Sequence, residues 1–253
     1  MLFLIPGLLA KPLPRLFVDQ PLEANSTIDL DADLAHRLHK VLRARVGDEL
    51  TLFNGKGGEF SSELTLLTKK NAQAKITHFN PVDRESALQV TLIQGISRGN
   101  RMDYTIQKSV ELGVACIIPI ETSRSMVKLN QDRKGNREAH WLGVIKHACE
   151  QSQRTKMPTL SAPTPLSEIA TLPNIESSYF LDTQSTTPLD ASNKPTGPCA
   201  IIAGPEGGFS DEERELIRGL GVTAIKLGPR ILRTETAAIA ALAILQHLWG
   251  DLN

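Results

Sequence analysis

The chain has 253 residues, a length that allows one large domain or two modest ones. Hydrophobic residues make up 41% of the sequence and charged residues 22%, a composition typical of a soluble globular protein with a sizeable core. Because the formal net charge is zero, any nucleic acid has to be bound by local basic patches and not by the charge of the whole chain.

Cysteine usage and the first residues narrow the class of protein further. The three cysteines are scattered and form no CxxC pair, which argues against a zinc site and against a disulfide framework. The apolar run at residues 1–10 lacks a basic start, contains Pro6 and Gly7, and is too short to cross a bilayer. We therefore predict a cytoplasmic protein without a membrane span, with residues 1–14 as an N-terminal extension.

Residues 15–82 are predicted to form a small β-rich unit. Alternating runs rich in Val, Leu, Phe and Thr predict four strands, at residues 15–18, 49–53, 60–66 and 72–79. One helix interrupts them at about residues 31–43, with Asp31 as its N-cap. Its apolar face holds Leu34, Leu38, Val41 and Leu42. The polar, turn-prone stretch at residues 81–86 is the predicted boundary of this unit.

Strands and helices alternate after this boundary. Apolar runs at residues 88–93 and 114–120 predict buried strands, and helices are predicted at about residues 100–112 and 136–154, the first closed by Gly113. This order predicts an α/β fold with a parallel sheet. The stretch at residues 155–198 holds seven of the fifteen prolines and predicts loops around a short helix (166–171) and a strand (178–181).

Regular structure is predicted again toward the end of the chain. A strand at residues 199–203 leads to a helix at 210–218, where Ser210 and Glu213 form a capping box. A strand at residues 224–227 precedes a final helix at 236–249. That helix is apolar almost all round, so it lies either in the core or in a subunit interface.

Two segments carry the residues suited to chemistry. In the first, a buried strand runs into Gly204, Pro205, Glu206, Gly207 and Gly208. Such a loop lies at the carboxyl end of a parallel strand, where a ligand can approach the bare backbone; equally, it can be a turn that needs positive φ angles. It lacks the glycine spacing of dinucleotide and phosphate loops, and Glu206 would repel phosphate.

The second segment, at residues 226–237, also contains a Gly-Pro turn. An irregular stretch is predicted after it, with the polar residues Arg230, Arg233, Thr234, Glu235 and Thr236 just before the apolar helix. Arg233 and Glu235 can form a solvated ion pair. Two Gly-Pro turns after two consecutive strands favour instead one shared pocket.

Together these motifs resemble a known group of enzymes. GPEGGFS at residues 204–210 and LGPRILRTETAA at 227–238 occur in an order and separation similar to those of the SPOUT superfamily and, more narrowly, of the RsmE family of 16S ribosomal RNA (uracil-N3)-methyltransferases. The likeness extends upstream through residues 97–113, 121–124 and 148–154, and to RLFV at 15–18 and VLR at 41–43. It covers about residues 15–250. One departure is Arg37, where the family usually has His.

The resemblance implies a fold, a cofactor and an assembly. Residues 15–82 would form a PUA-like β-barrel that binds RNA, and residues 83–253 a SPOUT methyltransferase domain with a deep trefoil knot. The family works as a homodimer that binds S-adenosyl-L-methionine. By matching position, the cofactor would contact Ile202, Ala203, Gly204, Pro205, Glu206, Gly207, Leu227, Gly228, Ile231, Leu232 and Thr236.

The implied reaction methylates a uridine in the decoding region of 16S ribosomal RNA, within the small subunit. Uracil N3 is a weak nucleophile while protonated, so a base has to accept its proton and a cation has to stabilise the uracil anion. Arg233 is suited to the second role, and Glu235 or Glu206 to the first. The basic residues predicted to bind RNA are Arg15, Lys40, Arg43, Arg45, Arg98, Arg101, Lys108, Arg124 and Arg154.

Other functions remain open at this point. Ribose 2′-O-methylation is the reaction of other knotted methyltransferases, although the upstream likeness and the RTETAA ending favour uracil N3. A non-catalytic RNA-binding protein would use the barrel and keep a degenerate pocket; the intact Gly-Pro loops argue against it. A nicotinamide dehydrogenase is disfavoured because the glycine fingerprint is missing. No histidines have metal-ligand spacing, so we predict no metal.

Overall fold

The structure is a computed structural model that describes residues 14–125, 131–171 and 177–252. The predicted N-terminal extension lies outside the described residues apart from Pro14. The chain divides between Asp83 and Arg84 into two compact units.

The N-terminal unit is built on a five-stranded sheet with the order β1-β3-β4-β5-β2. The strands are β1 (Arg15–Phe17), β2 (Thr27–Leu30), β3 (Glu49–Phe53), β4 (Glu59–Leu67) and β5 (Ala72–Asn80). β1 and β3 are parallel, whereas the other neighbours are antiparallel. Alternate residues face inward and form one core, with Leu16, Leu50, Leu52, Leu64, Ala74 and Ile76 fully or almost fully buried. β2 is short and was not predicted.

The helix predicted at residues 31–43 is regular only in its first half. The Asp31 carboxylate accepts a hydrogen bond from the Leu34 amide (2.7 Å), which confirms the N-cap of α1 (Ala32–His36). A π-helical turn, Arg37–Leu42, then follows and ends at Arg43, whose φ of 52° is left-handed. Because a π-turn holds more residues than an α-turn, Val41 faces solvent, and its predicted place on the apolar face was wrong.

The C-terminal unit contains the predicted parallel sheet. Its strands are β6 (Val90–Gly95), β7 (Cys116–Glu121), β8 (Thr159–Leu160), β9 (Thr164–Pro165), β10 (Ser178–Leu181), β11 (Cys199–Ala203) and β12 (Thr223–Ile225). The order is β12-β10-β11-β6-β7-β8, β9 also pairs with β7, and every pair is parallel. The two central strands, β6 and β11, are buried at every residue, as expected of a sheet covered on both faces.

Among the described residues, the α-helices of this unit are α2 (Asn100–Glu111), α3 (Gln131–Ser152), α4 (Asp211–Arg218) and α5 (Thr234–Trp249). Gly113 follows α2 with a φ of 78°, and Ser210 and Glu213 form the predicted capping box of α4. The last helix begins two residues before its predicted start at 236. Thr234, Glu235 and Thr236 therefore form its first turn, not an irregular stretch.

The connections that leave β6 and β11 indicate where the sheet can bind a ligand. The chain leaves β6 toward β7 on one side, and leaves β11 by way of α4 toward β12 on the other side. Adjacent strands whose connections diverge in this way form a topological switch point, and ligands of open α/β sheets bind at the carboxyl ends of such strands. In the part of the chain that the structure describes, no helix is both long enough and apolar enough to cross a membrane.

Candidate active site

A cavity of 790 Å³ lies at the carboxyl ends of β10, β11 and β12. Residues 203–209, from the last residue of β11 onward, line one part of it, and residues 225–235, from the last residue of β12 onward, line another. We call residues 204–208 the first bend and residues 227–233 the second bend. The two Gly-Pro turns therefore share one pocket, as the sequence predicted.

The first bend combines a tight turn with a bare backbone. The Gly208 amide donates to the Pro205 carbonyl (2.9 Å), and Gly208 has a left-handed φ of 64°. A Cβ on Gly204 would lie 3.1 Å from the Phe209 ring, and one on Gly207 would lie 3.0 Å from Cβ of Arg124. The glycines thus serve the turn and its packing, and they also leave backbone groups exposed to the cavity.

The second bend is more open than the first. Gly228 has a φ of 70°, and residues 228–231 are exposed, with Ile231 at 87%. α5 begins just after this bend, and the Thr234 hydroxyl donates a hydrogen bond to the Gly204 carbonyl. The first turn of α5, which follows the second bend, is therefore tied to the first bend.

Gln94 reinforces this junction and was missed from the sequence. Its side-chain nitrogen Nε2 lies 3.2 Å from the Gly204 carbonyl oxygen and 3.0 Å from Oγ1 of Thr234. The sequence did contain a signal for it: Gln94 is the one side-chain amide in β6, a strand that is buried at every residue. A buried amide needs hydrogen-bond partners, so it indicates polar contacts at that place.

Glu206 is held by one group just before α2 and one in its first turn. Its Oε1 accepts from the Arg98 amide (2.9 Å) and from Nη1 of Arg101 (3.1 Å). Burial of Glu206 acts to raise the pKa of its carboxyl, but these hydrogen bonds and the Arg101 charge outweigh it, so the pKa lies below the ordinary value. Glu206 is therefore ionised near neutral pH. Its Oε2 is buried and has no hydrogen-bond partner among the described residues.

The remaining predicted catalytic groups lie at the start of α5. Arg233 occupies the N-cap position, and its side chain is exposed. Glu235 is half-buried, and its Oε2 also has no hydrogen-bond partner in the described part of the chain. Both residues line the cavity, as does Glu206.

One wall of the cavity was not predicted. Leu181, Asp182 and Thr183 line it from the carboxyl end of β10. The Asp182 carboxylate is fully buried; Arg214 donates to its Oδ1, and Arg218 to its Oδ2 at 2.6 Å. β10 itself was predicted. Because the sheet was predicted to be parallel, the residues after β10 could have been expected at the same edge as those after β11, next to which β10 lies.

Most of the predicted cofactor residues meet at this cavity. Ala203, Gly204, Pro205, Glu206, Gly207, Leu227, Gly228, Ile231 and Leu232 all line it. Two do not. Ile202 is fully buried in the core of the sheet, and Thr236 is exposed on the first turn of α5.

Two residues predicted to bind RNA have structural roles instead. Arg15 is paired with Glu59 (3.1 Å) and lies 3.8 Å from the centroid of the Phe53 ring. Arg154 is paired with Glu85 (2.8 Å) and donates to two backbone carbonyls, those of Val110 and Val114. Both guanidinium groups are almost buried, so neither is available to a phosphate, and both predictions were wrong.

The other predicted RNA ligands are more accessible. Lys40, Arg43, Arg45, Arg98, Arg101 and Arg124 are exposed, whereas Lys108 is half-buried and paired with Glu111 (2.8 Å). Arg101 lines the cavity, and Arg124 donates to the carbonyls of Gly207 (3.4 Å) and Phe209 (3.3 Å). Within the described ranges, no three His, Cys, Asp or Glu side chains are placed to hold a metal ion.

Comparisons with known proteins agree on one family. The family model of the RNA methyltransferase domain matches residues 84–246, and that of the RNA methyltransferase PUA domain matches residues 30–77. A ribosomal RNA small subunit methyltransferase E from Buchnera aphidicola (subsp. Schizaphis graminum) is 33% identical over 96% of this chain and 99% of its own. One from Bacillus subtilis is 27% identical over 93% of this chain and 96% of its own.

Solved structures give the same answer. The ribosomal RNA small subunit methyltransferase E of Neisseria gonorrhoeae, bound to S-adenosyl methionine, is 39% identical with a TM-score of 0.88 and covers 95% of this chain and 100% of its own. A putative methyltransferase of Legionella pneumophila, in complex with the same cofactor, is 38% identical with a TM-score of 0.90 and covers 96% and 100%. The chain therefore belongs to the ribosomal RNA small subunit methyltransferase E family of RNA methyltransferases.

Proposed function

We propose that this protein transfers the methyl group of S-adenosyl-L-methionine to N3 of a uridine in the decoding region of 16S ribosomal RNA. The observation that carries the proposal is the single cavity of 790 Å³ built by both bends. Its volume is within the range of small-molecule sites. The family, and the two similar structures that hold this cofactor, support the choice of methyl donor.

The residues around the cavity fit this cofactor by their chemistry. Glu206 lines the cavity, and its buried Oε2 has no hydrogen-bond partner among the described residues; a carboxylate at this place suits the methyl donor, which carries a positive sulfonium and an ammonium group. Leu227, Leu232 and Ile225 supply apolar surface for a flat base. When bound, the cofactor supplies an electrophilic methyl group. The first bend would hold it through backbone groups.

Removal of the N3 proton is assigned to Glu235. Glu206 is less suited to this role, because its pKa lies below its ordinary value and one of its oxygens is engaged by Arg98 and Arg101. Glu235 lines the same cavity, and its buried Oε2 has no hydrogen-bond partner in the described part of the chain. A carboxylate in that condition can accept a proton without first breaking a hydrogen bond.

Arg233 is assigned to the negative charge that develops on the uracil carbonyl. Its side chain is exposed beside the cavity, two residues before Glu235. A guanidinium stays protonated, so it can stabilise an anion but cannot remove a proton.

RNA binding and assembly complete the proposal. The exposed Lys40, Arg43, Arg45, Arg98 and Arg124 would hold phosphates of the small-subunit RNA. The half-buried apolar residues Ile239, Ala240, Ala243 and Ile244 of α5 support a homodimer, because such a face is stable when covered. We also propose the deep trefoil knot and the cytoplasmic location that the family implies.

The test is methylation of 16S ribosomal RNA in vitro, followed by mass spectrometry of its nucleosides. Both naked RNA and small subunits are to be offered with the labelled methyl donor. The expected product is 3-methyluridine. A ribose-methylated nucleoside would replace this proposal with 2′-O-methylation, and calorimetry without any cofactor binding would leave only an RNA-binding role.

A further inference from the structure

Gln94 is a fully buried amide that no step of the proposed reaction uses. It lies in β6 next to Gly95, the last residue of that strand. Its Nε2 lies within hydrogen-bond distance of three oxygens: the carbonyls of Gly95 (3.0 Å) and Gly204 (3.2 Å), and the Thr234 hydroxyl (3.0 Å). Because two of these oxygens are carbonyls, which only accept, the nitrogen and not the oxygen of the amide has to face them.

The contacts close into a ring of three residues. Thr234 donates its hydroxyl proton to the Gly204 carbonyl, so its oxygen can accept from Gln94, which also donates to Gly204. Gln94 is 110 residues from Gly204 and 140 residues from Thr234 in the sequence. The ring therefore ties β6 to the first bend and to the first turn of α5.

Close backbone packing accompanies the ring. A Cβ on Gly95 would lie 2.4 Å from the backbone nitrogen of Pro205, so β6 approaches the first bend with no space for a side chain. A shift of the first bend would therefore disturb both this contact and the ring.

We propose that Gln94 is a positioning residue, which holds the two bends at the spacing that the methyl donor requires. Gln94 is not among the residues that line the cavity, so it acts through Gly204 and Thr234, which are. Thr234 lies between Arg233 and Glu235, so its position also sets theirs. The inference rests on the proposed function for one point only, namely that the ligand between the bends is the methyl donor.

The first variant is Gln94→Met, which keeps the length of the side chain and removes its amide. Its matched control is Gln246→Met: Gln246 is also fully buried, accepts from the Ser86 hydroxyl (2.6 Å), and does not line the cavity. We expect Gln94→Met to raise the Kd of S-adenosyl-L-methionine about 10- to 100-fold, because the carbonyls of Gly95 and Gly204 each lose a donor. Its KM for the cofactor should rise and its kcat should fall. Gln246→Met should lower the Tm and leave the Kd unchanged.

A second pair of variants keeps the test decisive if Gln94→Met fails to fold. Thr234→Ser retains the hydroxyl and should bind the cofactor as the wild type does, whereas Thr234→Val removes it and should weaken binding. Should Gln94→Met or Thr234→Val lower the Tm while both the Kd and the KM stay at the wild-type values, Gln94 would be a structural residue only.

Amide hydrogen exchange without cofactor separates this inference from the proposed function. Gln94→Met should speed exchange at residues 204–209 and 233–237, and Gln246→Met should not. Unchanged exchange at both segments would overturn the positioning role. If the wild-type protein bound no methyl donor, the proposed function would fail, and the exchange rates would still decide the role of Gln94.

Discussion

The two bends of the active site differ in how firmly the rest of the protein holds them. The first bend is fixed by Gln94, by Thr234 and by the close approach of Gly95 to Pro205. The second bend is exposed from Gly228 to Ile231 and ends at Arg233, and Glu235 follows in the first turn of α5. This difference indicates a division of labour: the first bend is a preformed part of the cofactor site, which residues 227–232 complete, whereas Arg233 at the end of the second bend and Glu235 in α5 act on the base.

Changes after the second bend should affect turnover and not cofactor binding. The largest expected effect is that of Glu235→Gln, which removes the proposed proton acceptor and should lower kcat by about 100- to 10,000-fold. The Kd of the cofactor, measured by calorimetry, should stay near the wild-type value. Retained kcat would exclude Glu235 as the base and reopen the case for Glu206.

Arg233→Ala should have the next largest effect. Loss of a preorganised cation at a developing negative charge should lower kcat about 100-fold. Arg230→Ala is the matched control, because Arg230 is an exposed arginine of the same bend that also lines the cavity. If the single-turnover rates of the Arg233→Ala and Arg230→Ala variants fell equally, the specific role of Arg233 would be contradicted.

Crowding the first bend should weaken cofactor binding. The added methyl group of Gly95→Ala would meet the backbone of Pro205, and overpacking of this kind should raise the Kd of the cofactor about 10- to 100-fold. The control is Gly143→Ala in α3, where nothing lies within 4 Å of the added Cβ and a helix former should be neutral or stabilising. Equal affinities of the two variants in calorimetry would remove the first bend from the cofactor site.

Salt titrations should separate RNA ligands from structural arginines. Arg43→Gln should weaken RNA binding and reduce the slope of log affinity against log salt by about 1, because one phosphate contact is lost. Arg15→Gln should leave that slope unchanged and lower the Tm, because Arg15 is paired with Glu59 in the sheet. A change of slope in the Arg15 variant alone would reverse this assignment.

The smallest expected effect concerns acid stability. The folded state lowers the pKa of Glu206 below its ordinary value of 4.5, so its contribution to stability is present above that pH and is lost as the pH falls through the lowered pKa. The Tm of the wild type should therefore exceed that of Glu206→Gln near neutral pH. The difference should shrink below about pH 4.5. A difference that grew on acidification would contradict the lowered pKa.

Local signals in the sequence predicted the local features well. The N-cap at Asp31, the capping box at Ser210 and the glycine after α2 depend on residues within one turn of each other. The parallel sheet followed from buried strands alternating with helices. Shared strand direction also brought the two Gly-Pro turns to one cavity.

Long-range packing determined what the sequence could not predict. Arg15 and Arg154 have carboxylate partners 44 and 69 residues away, so in the sequence each is indistinguishable from a surface charge. The ring around Gln94 spans still greater separations, and β2 is too short to show a clear alternation. The π-turn at Arg37–Leu42, from which Leu38 and Leu42 pack on the core of the sheet, takes the place of a predicted regular helix, and we found no local signal for it in the sequence.

The most direct measurement is a crystal structure of the protein with S-adenosyl-L-methionine. We expect the methyl donor to lie in the cavity and to contact both residues 204–207 and residues 227–232. Electron density for the cofactor at another place, or contact with only one of the two bends, would contradict the proposal that both bends form the cofactor site.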